Sequence, residues 1–168
     1  VADYFSKGYI SGPYSIYDNV YKLNPGSYAV YDIKSKEFKE NTYWDIDNLY
    51  GAPKLSHSYE EAVENVEKLL LKSLEYRMIS DVHVGTFLSG GYDSSLITAL
   101  LAKNSKKKIN TFTIGFDNKT FDESVHAKKI ADYLGTNHHE LVCTADMIKE
   151  KLLSYPDMFD EPFSDVSG

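Results

Sequence analysis

From residue 58 onward, apolar and polar positions follow two alternating periods. Ala62, Val63, Val66, Leu69, Leu70, Leu74 and Met78 recur at spacings of three and four, with Glu64, Glu67, Lys68, Lys72 and Glu75 on the opposite side. This predicts an amphipathic helix lying on a core. Ser58, with Glu61 three positions later, marks its start as a capping box, and it should run to about Met78. A short apolar run over 82–88 then predicts a buried strand, and Leu96-Ile97-Thr98-Ala99-Leu100-Leu101-Ala102 predicts a helix over roughly 94–103. A second strand is predicted over 109–116, where Phe112, Ile114 and Phe116 are separated by threonine and glycine. Asp122-Glu123-Ser124 opens a helix with Val125, Ala127, Ile130, Ala131 and Leu134 on one side, and Gly135 stops it. Residues 137–143 read as a third strand, Thr144 as a cap and 145–153 as another helix. Such alternation predicts an α/β fold, a parallel sheet with helices on both faces. Ligands of these folds collect at the carboxyl ends of the strands.

Residues 1–50 are instead dense in tyrosine and turn formers. Residues 1–7 read as the last turns of a helix closed by Gly8, and Ser11-Gly12-Pro13 and Asn24-Pro25-Gly26 as turns. A strand is predicted over 27–33, with Lys34-Ser35-Lys36 turning the chain into a partner over 37–43. Residues 51–58, with Gly51, Pro53, Ser56 and Ser58, read as a linker, which leaves 59–168 as the main domain.

At 168 residues the chain can bury roughly 70% of its unfolded surface. Its 42% hydrophobic and 26% charged residues mark a globular protein, not a disordered one. The net charge of −7 argues against a general nucleic-acid surface. The aromatic density of 1–50 is therefore assigned to packing and interfaces, and Lys106-Lys107-Lys108 to solvated surface. The single cysteine, Cys143, excludes an internal disulfide and a cysteine-based zinc site, and its apolar setting reads as a buried structural thiol. No apolar run reaches the about 18 residues of a membrane span, and no secretory signal opens the chain, so no membrane role and a cytoplasmic location are expected. The chain starts at Val1 and stops after a polar, turn-like cluster, so we expect a segment of a longer protein. A sheet cut in this way would tend to self-associate, which leaves a homo-oligomer open.

The chemistry concentrates in Phe87-Leu88-Ser89-Gly90-Gly91-Tyr92-Asp93-Ser94-Ser95. The two glycines let the backbone curl around a ligand, and the helix that follows points unpaired N–H groups at it. Ser89, Ser94 and Ser95 add hydroxyl donors. Asp93 would repel a bare phosphate, so its presence fits a divalent cation shared between the two. A purely structural turn, another phosphate site and a nucleotide pyrophosphate site all accommodate the loop, and the strand-loop-helix context favours the last. The spacing is not that of a Walker A loop, a dinucleotide fingerprint or a nucleophile elbow. No general base accompanies Ser89, so it is not read as a nucleophile.

The same nine residues resemble the Ser-Gly-Gly-x-Asp-Ser loop of the N-type ATP pyrophosphatases. Asp81-Val82-His83-Val84-Gly85-Thr86, Thr111-Phe112-Thr113-Ile114-Gly115-Phe116, Phe121-Asp122-Glu123-Ser124, Leu134-Gly135-Thr136-Asn137-His138-His139-Glu140 and Asp160-Glu161-Pro162-Phe163 follow one another as in the asparagine synthetase family. Gly8-Tyr9-Ile10, Lys22-Leu23-Asn24-Pro25-Gly26 and Tyr43-Trp44-Asp45 resemble the junction that follows the glutaminase domain of that family. The resemblance runs through essentially the whole chain, and full-length members are several times longer.

It implies a truncated adenine nucleotide alpha-hydrolase-like (HUP-like) fold, with 1–50 as the junction segment and 59–168 as the start of the synthetase domain. It implies an ATP- and magnesium-dependent (Mg2+) ligase of asparagine biosynthesis. The side-chain carboxylate of aspartate would be adenylated, then amidated by ammonia from a glutaminase domain, releasing AMP and pyrophosphate. Ser89, Gly90, Gly91, Ser94 and Ser95 would wrap the phosphates, Asp93 would hold magnesium, and Leu88, Ile114 and Gly115 would bracket adenine and ribose. A paralogue amidating another carboxylate, on a sugar or a β-lactam precursor, and a non-catalytic nucleotide-binding module are the alternatives. No catalytic residue is assigned. Asp122 and Glu123 suit either a second metal or the first turn of a helix, the latter favoured. His138 and His139, adjacent in a strand, should point to opposite faces. Asp160 and Glu161 either line the acceptor or ammonia side or shape a loop. The chain lacks the leading cysteine of a glutaminase and the later Gly-Glu-Gly-x-Asp-Glu segment. Alone, it is expected to bind ATP weakly at most and to turn nothing over.

Overall fold

The structure, a computed structural model, describes residues 1–117, 122–162 and 164. Phe121, Phe163 and residues 165–168, quoted above, lie outside the described residues. Two compact units emerge, one of residues 1–55 with the described residues from Leu152 onward, the other of residues 56–151.

In the first unit, α1 (Ala2–Lys7) is closed by Gly8, whose left-handed φ of 81° lets its N–H reach the Tyr4 carbonyl at 2.7 Å. Strands β1 (Ser27–Tyr31) and β2 (Phe38–Thr42) pair antiparallel, with Ser27 opposite Thr42. Between them the Asp32 carboxylate accepts the N–H groups of Lys34 and Ser35 and turns the chain. Two short helices were not anticipated: α2 (Ile46–Tyr50), capped by the Asp45 carboxylate on Asp47 N–H, and later α7 (Tyr155–Met158). Most aromatic side chains of this unit are exposed, Phe5, Tyr28, Phe38 and Tyr43 among them.

The second unit opens with α3 (Tyr59–Arg77). Its capping box is complete: Ser58 Oγ accepts Glu61 N–H at 3.2 Å and Glu61 Oε2 accepts Ser58 N–H at 2.8 Å. The elements that follow are β3 (Gly85–Phe87), α4 (Tyr92–Asn104), β4 (Asn110–Phe116), α5 (Ser124–Leu134), β5 (Asn137–Cys143) and α6 (Ala145–Leu152). The three strands form a parallel sheet in the order β3-β4-β5. The α/β class and parallel sheet are therefore those the sequence implied.

Four details differ from the sequence reading. Strand β3 pairs only over Gly85–Phe87, and Val82 upstream is 76% exposed. Helix α3 is seated by its C-terminal half alone: Leu70, Leu71, Leu74 and Met78 pack with Leu100, Leu101 and Ile109, while Val63, Val66 and Leu69 stay exposed. Cys143 is half-buried. Among the described residues, the helices packed against the sheet, α4 and α5, share one face of it, where helices on both faces were expected. Successive right-handed crossovers between neighbouring strands put consecutive helices on the same side. That face carries Thr86, Thr111, Thr113 and Gly115. The other carries Phe87, Phe112, Ile114 and Phe116, which are 38–81% exposed. No helix of the described residues is long and apolar enough to cross a membrane.

Candidate functional site

The 88–91 connection leaves β3 and enters α4 with Gly91 as N-cap. Gly90 takes a φ of +86°, open to glycine at little cost. The hydroxyls close the turn on itself. Ser94 Oγ accepts Ser89 N–H at 3.2 Å and lies 3.1 Å from Ser89 Oγ, while Ser94 and Ser95 hydroxyls reach the Gly91 carbonyl at 3.2 and 2.6 Å. Gly91 N–H points at Ser89 Oγ at 3.4 Å. Thr98, one turn into α4, donates to the Ser94 carbonyl at 2.8 Å and meets Thr86 Oγ1 of β3 at 3.2 Å. These bonds fix the exit angle of the helix from the strand.

Behind the loop stand β4 and the first turn of α5. Leu88 is fully buried with Ala127 and Ala131. Its N–H donates to Phe112 O at 2.9 Å, and its carbonyl accepts the Thr113 hydroxyl. Leu88 therefore seats the loop from inside, and its side chain is not available to a nucleotide. Ile114 and Gly115 lie just beyond Thr113 and face opposite ways. Ile114 is 52% exposed, whereas Gly115 faces α5. A Cβ on Gly115 would lie 3.1 Å from Ser124 Cβ, 3.2 Å from Asp122 Oδ1 and 3.2 Å from Glu140 Oε1. A Cβ on Gly90 would lie 3.0 Å from His126 Cβ and 3.1 Å from Ala127 N.

Asp122 Oδ1 accepts Ser124 N–H at 3.1 Å and Phe116 N–H at 3.3 Å. The Ser124 amide, helped by Phe116 N–H, holds the Asp122 carboxyl below the usual carboxylate range against the opposing effect of desolvation. The structure thus gives Asp122 the helix-start role. Sequence reasoning missed Thr113, His126 and Ala127, and only the glycine of the loop hinted that something approached it closely.

The residues present fit a triphosphate with magnesium. No side chain caps α4, so its first-turn amides remain aimed past Gly91, where an anion is stabilised by donors and helix dipole together. Asp93 sits in that first turn, exposed and without an ion pair among the described residues. A single carboxylate suits magnesium shared with phosphate oxygens. No group of three or more metal-binding side chains occurs among the described residues, so an all-protein cage is not offered.

His138 and His139 do point to opposite faces. His138 Nδ1 meets Thr111 Oγ1 at 3.0 Å, and His139 stacks on Phe112 with centroids 5.0 Å apart. Asp160 and Glu161 belong to the first unit. Glu161 Oε2 accepts from Lys22 Nζ at 2.7 Å, Lys22 also donates to Ile10 O at 2.8 Å, and Tyr17 OH donates to Asp160 O at 3.2 Å. These contacts shape a loop along a cavity of about 600 Å³ lined in part by Tyr9, Tyr17 and Lys22.

The asparagine synthase family profile matches residues 65–168, from within α3 through the loop, the sheet and beyond. A Methanocaldococcus jannaschii protein provisionally named asparagine synthetase (glutamine-hydrolyzing) 2 is 36% identical over 98% of this chain and 31% of its own length. Asparagine synthetase (glutamine-hydrolyzing) 1 of Bacillus subtilis is 29% identical over 98% of this chain and 25% of its own. Amidase chry2 of Gibberella zeae is 26% identical over 92% of this chain and 25% of its own. The chain thus spans between a quarter and a third of the length of these relatives. Because the match takes in the strand, the glycine-serine turn and the helix that build the site, the chain belongs to the asparagine synthase family.

Proposed function

We propose that this chain carries the nucleotide-binding part of an ATP- and magnesium-dependent synthetase that converts a carboxylate, that of aspartate in the leading reading, into an amide. The observation that carries the reading is the uncapped start of α4, whose first-turn amides follow the 89–91 turn with the Asp93 carboxylate among them. In the proposed reaction a carboxylate oxygen attacks the α-phosphorus of ATP and the bond to pyrophosphate breaks. Ammonia then attacks the activated carbonyl carbon and AMP departs. Ser89, Gly90, Gly91, Ser94 and Ser95 would hold the phosphates that leave, where donors are worth most as charge grows on them. Bound at Asp93, magnesium supplies charge neutralisation on the departing pyrophosphate. Ile114 and Gly115, at the adjoining strand end, would flank adenine and ribose. Ammonia would come from a glutaminase domain preceding the 1–50 junction, and 59–168 would be the first part of the synthetase domain.

A second reading, in which a different carboxylate is amidated, is supported by the similarity to amidase chry2. The two share the loop and differ in the acceptor.

Calorimetric titration with ATP and magnesium is the direct test. Binding should require the metal and weaken about tenfold or more in Asp93→Asn, the usual scale for disturbing a metal site, with the circular dichroism spectrum unchanged. Equal binding by that variant would reject the metal role. The chain alone is expected to release no AMP from ATP and aspartate, and steady release would refute the assignment of the remaining machinery to residues outside it.

A further inference from the structure

The loop that faces the nucleotide is pressed against a second element. A methyl group on Gly90 would crowd His126 Cβ at 3.0 Å and Ala127 N at 3.1 Å, and Leu88, one residue before the serine, is sealed against Ala127 and Ala131. The first turn of α5 therefore decides where the backbone of the loop can lie. Asp122 ties that turn to the sheet: it accepts from an amide of β4, Phe116, and from an amide of α5, Ser124, through the same Oδ1. Gly115 supplies clearance here: a Cβ there would crowd Ser124 Cβ and the Asp122 and Glu140 carboxylate oxygens at 3.1–3.2 Å.

We propose that the first turn of α5 is the back wall of the phosphate loop and that Asp122 is the positioning residue that sets this wall. The inference rests on the nucleotide reading for its consequence, but its mechanical part stands apart from it. In this reading Asp122 acts through acceptor geometry, by its contacts to the Phe116 and Ser124 amides. Its carboxylate braces strand to helix, the helix braces Gly90, and Gly90 holds the amides of Gly91 and the α4 start in register. Interfaces this closely packed transmit displacement because no void absorbs it.

The test compares Asp122→Ala, Asp122→Asn and wild type by amide hydrogen exchange and by ATP–magnesium calorimetry, both at temperatures where all three are folded. Asp122→Ala should speed exchange at Phe116 and Ser124, and the effect should extend to residues 89–95. ATP affinity should fall about tenfold, the scale of one lost charge-assisted hydrogen bond. Asn retains the acceptor oxygen, so Asp122→Asn should stay within about threefold of wild type. If alanine does not fold, Gly115→Ala displaces the same turn with Asp122 intact and should loosen 89–95 likewise. Faster exchange confined to 116–124, with 89–95 and affinity unmoved, would overturn the proposal. So would an Asn variant as impaired as Ala, since charge and not geometry would then matter. If wild type fails to bind ATP while exchange behaves as expected, the nucleotide reading falls and the back wall stands.

Discussion

Replacing Gly90 with alanine adds one methyl group where two constraints coincide. The residue has a φ of +86°, and its new Cβ would sit 3.0 Å from His126 Cβ and 3.1 Å from the Ala127 nitrogen. The conformation alone costs an alanine about 1–2 kcal/mol. The contact adds an overpacking cost of about 1–3 kcal/mol, because its partners are a helix backbone and a Cβ, neither of which can swing aside. Gly135 is the internal control: its φ is +68°, yet nothing lies within 4 Å of a Cβ there. Gly135→Ala should therefore lose only the conformational part, about 1 kcal/mol, and Gly90→Ala about 3 kcal/mol. With a urea slope near 2 kcal/mol per molar, the midpoints should fall by roughly 0.5 M and roughly 1.5 M at unchanged slope. Far-UV circular dichroism is a suitable signal, since α3, α4 and α5, of 19, 13 and 11 residues, all belong to the unit concerned. Equal shifts for the two variants would refute the claim that α5 abuts the loop.

Ser58→Ala removes one half of the capping box at the start of α3, and the urea midpoint should drop by the equivalent of about 1 kcal/mol; an unchanged midpoint would mean that this turn frays freely. Asp3 accepts from Lys7 Nζ at 2.8 Å and from Ser11 N–H at 2.7 Å, and the lysine contact leads in lowering its pKa from 3.8 to about 2. A carboxyl depressed on folding adds stability that is complete above its ordinary value and is lost as pH falls through the folded value, here from 3.8 down to about 2. NMR titration of Asp3 should find the lower midpoint and an upward move in Lys7→Met, and an ordinary midpoint in the wild type would contradict the pairing.

The long elements were legible because each carries its own punctuation. The Ser58–Glu61 box, the three-four spacing of α3 and the Gly135 stop mark backbone events that need no distant partner. Helices α2 and α7 were not legible, being five and four residues long with no room for a period. Period-two logic also misleads in β4. It would turn Phe112, Ile114 and Phe116 toward the helices, but the buried positions are Thr111, Thr113 and Gly115. The covered face is the polar one because its hydroxyls are all engaged: Thr111 with Thr136 and His138, Thr113 with the Leu88 carbonyl. Small side chains there let α4 and α5 come close, which no composition count reveals. The turn itself could be read because two glycines between an apolar strand and an apolar helix mark a backbone that must change direction. The partition of Asp122 between metal and helix start needed coordinates, since both roles ask for the same residue at the same place.

The electrostatics of the site follow from this construction. A chain with a net charge of −7 does not attract a triphosphate at long range, and its field opposes one. No lysine or arginine stands in the 87–95 segment to offset that. On the proposed reading the anion would be held at contact, through amides already aimed by Gly90, Gly91 and the helix start, whose dipoles would need no reorganisation when the ligand arrived. Asp93 would sharpen the requirement, because a bare phosphate beside it would be repelled and a metal-bridged one would not. A site built from fixed dipoles works only as well as its backbone is placed, since an amide that drifts out of line loses most of its hydrogen bond. On that reading the placing of those amides falls to the packing behind the loop: the threonines of β3, α4 and β4, the alanines of α5 and the carboxylate that ties strand to helix.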